Sequence, residues 1–534
     1  MKQLSAQELK AKLHDGSELA LLDVREAGQF GASHLLFATP LPYSRLELDI
    51  GALVPRRSAP IVLCDDGSSG VAALAARRLQ DIGYANVAIL DGGTAAWKAA
   101  GHTLFAGVNV PSKTFGELVE HTYHTPRVTP QELHRMKAAD EDFVILDGRP
   151  YAEYHKMSIP GGICCPNAEL PYRVSAIVKN PRTKIVVNCA GRTRSIIGAQ
   201  TLINFGVKNP VYALENGTQG WFLADYELEH GAARKYPEHV DGAALPGQQA
   251  AARKLAQLHG VHSATAQEVQ HWLDDDARST YLLDVRTPEE YAAGSIVGAI
   301  HAPGGQLIQA TDQWVGVRNA RIVLIDSEGV RAPVVASWLK QLGCDAYVLE
   351  HGTAADVRGK PVRTPALPAV PQISAVDLKR ALDARTVTVF DLGPSVRFRK
   401  EHIPGSRWSI RPRLADDARA LHGPLVLVAE DADATRLAVV DLHEAGIRDV
   451  KQLTGGFDAW KATGYTTEAS ADVPRDAECI DYLFFVHDRH AGNRAAMRQY
   501  LAWETGLLAQ LDSDERGSFT VGIPSPAPAG RKHP

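Results

Sequence analysis

Apolar and polar positions along this chain run through the same order four times. Each round opens on a hydroxyl residue with an acid three positions later: "SAQEL" at Ser5, "TPQEL" at Thr129, "TAQEV" at Thr265 and "SAVDL" at Ser374. A hydroxyl so placed takes a free N–H of a first helical turn while the acid reaches back, so each segment predicts a helix start, with Asp377 a near variant. An apolar run ending in aspartate follows, "LLDVR" (Asp23), "VILDGR" (Asp147), "LLDVR" (Asp284) and "VFDLG" (Asp391), and each predicts a buried strand. The turns "IPGG", "IVGA" and "IPGS" come next in rounds two to four. A second apolar strand and a helix then lead to a closing strand and Gly turn: "LDGGTAAW", "LENGTQGW", "LEHGTAAD" and "LTGGFDAW".

Strand, crossover and helix alternate within each round, which predicts the α/β class: an open, mostly parallel sheet with helices on both faces. About 100 residues per round suffice for an independent core, so the rounds are read as tandem domains and not as solenoid turns. The expected boundaries are 1–106, 124–232, 259–360 and 371–466, followed by a C-terminal segment 467–534 that docks on a domain. Pro-rich and polar stretches near 107–126, 233–258 and 358–371 are expected to be linkers. The C-terminal segment predicts a strand-like run at "DYLFFVHD", then a helix, then a disordered "PSPAPAGRKHP".

Composition narrows the setting more than the chemistry. The 534 residues carry a formal net charge of −5, which gives no sign of nucleic-acid binding. No apolar run approaches membrane-spanning length, and the N-terminus "MKQLSAQELKAKL" reads as an amphipathic helix and not as a signal peptide. Six cysteines form neither a CxxC pair nor a regular framework, so a reducing, cytoplasmic setting is expected.

One cysteine stands apart. "NCAGRTRS", Asn188 to Ser195, puts Cys189 between the apolar "KIVV" and a helical "IIGAQTLINFG", with Arg192 and Arg194 close by. A thiolate is the reactive form of cysteine, and helix N-termini and nearby cations stabilise it. Backbone N–H groups of Ala190, Gly191 and their neighbours can turn inward as an anion nest, with Gly191 permitting close approach. Thr193 and Ser195 add hydroxyl donors. A buried cysteine in a helix cap is the bland alternative, and the two adjacent arginines weigh against it.

Strand register decides which rounds share this chemistry. Counting from the strands "IVLCD", "IVVNC", "IVLID" and "LVLVA" places Asp65, Cys189, Asp326 and Ala429 at one position. The count back from the helix-ending glycines agrees in rounds two to four and selects Asp66 in round one, which has one extra residue. Neither count selects Cys64, although a one-residue slip would make it a nucleophile. The acidic loops "DDGSSG", "DSEGVRA" and "AEDADAT" are read as nests filled by the chain's own side chains.

The layout resembles the rhodanese (sulfurtransferase) family over nearly all of 1–465. The resemblance rests on "LLDVR…EEY" of round three, "GRPYAEYHKMSIPGG" of round two, the "GG…AW" turns and "CAGRTRS". It implies that Cys189 carries a persulfide and passes a sulfane sulfur from thiosulfate or a similar donor to a thiol, cyanide or a protein acceptor. Neither metal nor organic cofactor is implied, and the other three domains would be inactive. Arg192 and Arg194 would hold the leaving sulfite, Ala190, Gly191, Thr193 and Ser195 would line the cradle, and Arg173 in "AELPYR" would reach the pocket rim. Two other classes stand beside this one. Cysteine phosphatases place five residues between cysteine and arginine where Cys189 and Arg194 are separated by four; a non-catalytic interaction scaffold would leave the intact "CAGRTRS" without a role.

Lesser candidates have structural readings. Arg149 is expected to pair with an acid such as Glu153, Cys164 and Cys165 to be strand residues with one of them buried, and Trp221 to be core. His121/His124 and His487/His490 have metal-like spacing but no accompanying ligands, so solvated or capping roles are expected.

Overall fold

The computed structural model describes residues 2–522, including every side chain among them except those of His490 and Ala491. "PSPAPAGRKHP" lies outside the described residues. Four sheets are present, each of five parallel strands in the order one-five-four-two-three. In the second sheet these strands are Arg127–Val128, Val211–Leu214, Lys184–Asn188, Phe143–Asp147 and Ile163–Cys164, taken across the sheet. Lys184–Asn188 is central and, after its first residue, buried. It pairs Val187 with Leu146 and Asn188 with Asp147, so Cys189 leaves the sheet at the C-terminal edge, where open parallel sheets place their sites.

The predicted caps form. Ser5, Thr129 and Thr265 each make a reciprocal box with the glutamate three residues on. Ser374 accepts from the Asp377 backbone N–H, but the shorter Asp377 side chain bonds only the Ser374 hydroxyl, at 2.7 Å, and the box stays open.

The aspartates that end each second strand are buried and ion-paired. Asp23, Asp147 and Asp284 bind Arg25, Arg149 and Arg286 two residues on. Arg149 therefore pairs with Asp147, at 2.8 and 2.7 Å, and not with Glu153. In the fourth domain glycine stands at this position, and Arg397 fills the space: a Cβ on Gly393 would lie 1.9 Å from its guanidinium, which binds Asp391 at 2.6 Å.

Four further expectations need correction. The stretch 107–126 is largely the helix Val110–Tyr123, and 233–258 ends in the helix Leu245–Leu258; only 358–371 lacks regular elements. Both helices are structural members, since Phe115, Val119, Ala252 and Leu255 are buried in a core shared with domains one, two and three. Independent cores per domain are thus only half the picture: each sheet has its own outer cluster, while one inner core runs through three domains. "DYLFFVHD" forms no strand; it contains the short helix Phe484–His487, ahead of Arg494–Thr505. Finally, Cys164 and Cys165 are both buried.

Trp338 is the keystone of the shared core. Its ring packs edge-on to Phe115, with centroids 5.9 Å apart, and its Nε1–H donates to Thr201 Oγ1 at 2.8 Å. Thr201 lies on the helix Thr193–Phe205 that follows Cys189. Trp338→Ala should cost about 3–5 kcal/mol, seen as a lower urea midpoint of the full chain; an unchanged midpoint would mean that the domains do not depend on this core.

Candidate active site

The register of the four loops is settled by the closing glycines. Gly93, Gly217, Gly352 and Gly456 have φ of +56°, +54°, +51° and +59°. A Cβ on each would lie 2.4, 2.2, 1.8 and 2.3 Å from the carbonyl oxygens of Asp65, Cys189, Asp326 and Ala429 respectively. Only glycine allows both this backbone and this approach. The strand count is therefore the correct one, and round one's extra residue sits inside the loop, after Asp65.

Cys189 occupies in domain two the place that Asp326 occupies in domain three. The two loops keep one register, with Arg194 matching Arg331, but the helix starts at Thr193 in domain two and one position later, at Arg331, in domain three, where Gly329, the counterpart of Arg192, has φ +69° against −118°. Asp326 accepts hydrogen bonds from the N–H groups of Gly329, Val330 and Ala332 at 3.0, 2.9 and 3.0 Å. The counterparts in domain two are Arg192, Thr193 and Ser195. Asp65 likewise accepts from Gly67 and Ala72, at 2.8 and 3.0 Å. In domain four Ala429 has no carboxylate, and Asp431 accepts from Asp433 and Ala434 instead, at 2.9 and 3.3 Å.

Around Cys189 the cradle is tight. Ser195 Oγ–H donates to Cys189 Sγ at 3.0 Å. Gln219 closes the loop from the far side, its Nε2–H giving to the Ala190 carbonyl at 3.0 Å. Asn167 Nδ2–H holds the Arg194 carbonyl at 2.9 Å. Residues 185–202 are buried without a break, and Cys189 is only 2 % exposed. The cover comes from outside the domain. Helix Val110–Tyr123 lies against the loop at Gly116, where a Cβ would meet the Thr193 side chain at 2.7 Å. Helix Arg494–Thr505 brings Glu504 and Tyr500 to within 3.2 and 3.4 Å of a Cβ built on Gly191.

Both arginines are present and both are engaged. Arg192 binds Glu117 through two hydrogen bonds of 2.6 and 2.8 Å and also contacts Glu120. Arg194 binds Glu153 at 2.8 and 2.7 Å and Gln306 of domain three at 3.0 Å. Burial works against the charge of Arg194, but Glu153 and then Cys189 hold its pKa above the usual value. Arg331 repeats this pair in domain three, binding Glu290 at 2.5 Å. Arg173 is buried at the side of the domain. Its polar contacts are to Glu169 at 3.0 Å, Glu290 at 3.5 Å and the carbonyls of Pro237 and Glu238.

Cys64 is the last residue of the strand Ile61–Cys64 in domain one, with its side chain in the apolar cluster of Leu21, Val62 and Trp97. Burial, then Asp23, pushes its thiol well above the ordinary range, with Asp65 and Asp66 adding to the effect. Among the described residues no group of three metal-ligating side chains is assembled, and no helix is long and apolar enough to cross a membrane. Trp221 is core, as expected, and His121, His124 and His487 are exposed. The residues that escaped the sequence reading are the supporting ones: Glu117, Glu120, Gln219, Gln306 and Glu504. Only the spaced acids of "GELVEH" offered a signal.

The rhodanese-like domain model matches the chain four times, over 5–100, 129–224, 265–357 and 374–463. A solved thiosulfate sulfurtransferase from Pseudomonas aeruginosa is 42 % identical, covering 98 % of this chain and 100 % of that one with a TM-score of 0.89. Thiosulfate sulfurtransferase GlpE of Pseudomonas fluorescens is 31 % identical over 97 residues, 18 % of this chain and 88 % of that protein.

The closing glycine gives a direct test of the loop. Gly217→Ala should destabilise the chain by about 1–3 kcal/mol, the cost of a strained left-handed residue, with the clash against the Cys189 carbonyl on top. Gly206 also has positive φ, +85°, but open space around it, so Gly206→Ala should lower the melting temperature less. Equal losses would contradict this account of the turn.

Proposed function

The chain belongs to the rhodanese family, with four rhodanese-like domains in tandem, and on that premise we propose that domain two is its working sulfurtransferase and Cys189 the nucleophile. Family and relatives together support a sulfurtransferase activity. The observation that carries the finer reading is the correspondence of Cys189 with Asp326. Domain three holds the Asp326 carboxyl group in its loop with three backbone N–H groups, and at the same register position domain two has a sulfur in place of the carboxyl group.

In this mechanism the Cys189 thiolate attacks the outer sulfur of thiosulfate or a similar donor. The donor's S–S bond breaks, and sulfite leaves with its electron pair. The terminal sulfur of the resulting persulfide lies where the carboxylate oxygens of Asp326 lie in domain three. There it faces the N–H groups of Arg192, Thr193 and Ser195, with the Ser195 hydroxyl already on Sγ at 3.0 Å. A thiolate or cyanide acceptor then attacks the terminal sulfur, and Cys189 departs as thiolate. A covalent intermediate between two separate substrates gives ping-pong kinetics. Arg192 and Arg194, fixed by Glu117 and Glu153, hold the loop in shape.

The other loops lack the sulfur and have filled the nest. A carboxylate at Asp65 or Asp326 and a methyl group at Ala429 cannot accept and release sulfane sulfur. Their domains act as packing partners: domain three supplies Gln306 to Arg194 and Glu169 of domain two binds Arg331 at 2.9 Å.

Cys189→Ser should abolish transfer from thiosulfate to cyanide while leaving the melting temperature within about 2 °C, since the oxygen keeps the Ser195 contact and nearly the volume. The assay is thiocyanate formation by the purified full chain. Substantial turnover by this variant would refute the assignment.

A further inference from the structure

Three of the four loops carry their own anion, and the second receives one from far along the chain. Glu504 lies at the end of helix Arg494–Thr505. Its Oε1 accepts from the Thr193 hydroxyl at 2.6 Å and from the Thr193 backbone N–H at 3.4 Å. That N–H is the counterpart of Val330 N–H, which serves Asp326 in domain three. Glu504 thus takes up an N–H at the register position that serves Asp326 in domain three.

The way Glu504 is held is unlike a finished ion pair. Its side chain is fully buried, at 0 % exposure, and Oε2 has no hydrogen-bond partner among the described residues. The nearest cation is Lys113 of helix Val110–Tyr123, 3.7 Å from Oε1 and 3.4 Å from Gln309 of domain three. A buried carboxylate oxygen without a partner is costly. Lys113 is also the less committed cation here, because Arg192 and Arg194 each grip a carboxylate through two hydrogen bonds. The helix itself is well anchored: Trp503 Nε1–H donates to the Ala106 carbonyl at 2.8 Å, and Leu507 is buried with Phe105 and Val110.

We propose that Glu504 is a specificity-determining stopper of the Cys189 site: it occupies the anion cradle of the resting protein, and an anionic sulfur donor must displace it and take its place beside Lys113. The inference rests on the sulfurtransferase reading for the identity of the incoming anion. The cradle, the orphan oxygen and the lysine are independent of that reading. A donor that enters has to win Lys113 and the Thr193 N–H from a tethered competitor, so the site selects for compact anions that bind both at once.

The test is the charge selectivity of Cys189 alkylation in the full chain, with neutral iodoacetamide and anionic iodoacetate as probes and peptide mapping to read Cys189 alone. Glu504→Gln keeps the size and the Thr193 contact but removes the charge, so the iodoacetate-to-iodoacetamide rate ratio should rise about tenfold. Lys113→Met should lower the ratio by a similar factor, and the KM for thiosulfate should fall in the first variant and rise in the second. An unchanged ratio in Glu504→Gln overturns the proposal, as does a Cys189 that neither reagent reaches in that variant. Should Glu504→Gln melt early, Lys113→Met leaves the C-terminal helix untouched and an unchanged ratio there overturns the proposal equally. A shifted ratio in a chain that never takes sulfur from thiosulfate would keep the stopper and discard the sulfurtransferase.

Discussion

A helix that begins at the edge of a parallel sheet presents several backbone N–H groups that no helical carbonyl can satisfy. Turned inward, as in these loops, they demand an anion, and the rest of this structure follows from how that demand is met four times. Asp65, Asp326 and Asp431 meet it locally. In the second loop the residue that follows the strand is a cysteine, and the demand is left to its sulfur and to Glu504. A nest that lacks a permanent carboxylate can hold a sulfur that comes and goes.

Leaving one loop unfilled has consequences for everything packed around it. The guanidinium groups of Arg192 and Arg194 are buried, and a buried cation without a partner is prohibitive. Glu117 and Glu120 meet the first from the helix between domains one and two, and Glu153 meets the second from within the domain. Gln306 and Gln309 arrive from domain three, and Tyr500 and Glu504 from the C-terminal segment. The core that domains one and three share with domain two also fixes the helix Val110–Tyr123 that roofs the Cys189 loop. The Ile196 and Ile197 side chains of the Cys189 helix belong to that core, so the loop is clamped from behind as well as above.

Much of this was legible from local chemistry. Capping boxes at Ser5, Thr129 and Thr265, strands that end in aspartate, and the glycines of "GG…AW" each follow from rules that act within a few residues, and each is in place. The placement of Asp65 over Asp66 needed only the strand count, because the extra residue was absorbed after the point where Gly93 touches the chain. What stayed hidden was long-range. Two arginines beside a cysteine suggest substrate ligands, and nothing nearby in sequence says that Glu117, 75 residues away, already holds Arg192. The stretches near 107–126 and 233–258 read as linkers because Pro and polar residues weaken the helical period, yet tertiary packing makes helices of them. Glu504 sits in "AWETG", where an acid near a helix end has every appearance of a solvated residue. Arg173, chosen for the rim, is held instead by Glu169 and the carbonyls of residues 237 and 238.

The central claim is that one loop of four carries sulfur. It is tested most directly by mass spectrometry of the full chain after a brief thiosulfate pulse, with every cysteine peptide mapped. This account expects one added sulfur, a gain of about 32 Da, on the peptide of Cys189 and none on that of Cys64, whose buried thiol lies before the loop. Added sulfur on the Cys64 peptide, or its absence from Cys189 in a protein that still turns over thiosulfate, would contradict it.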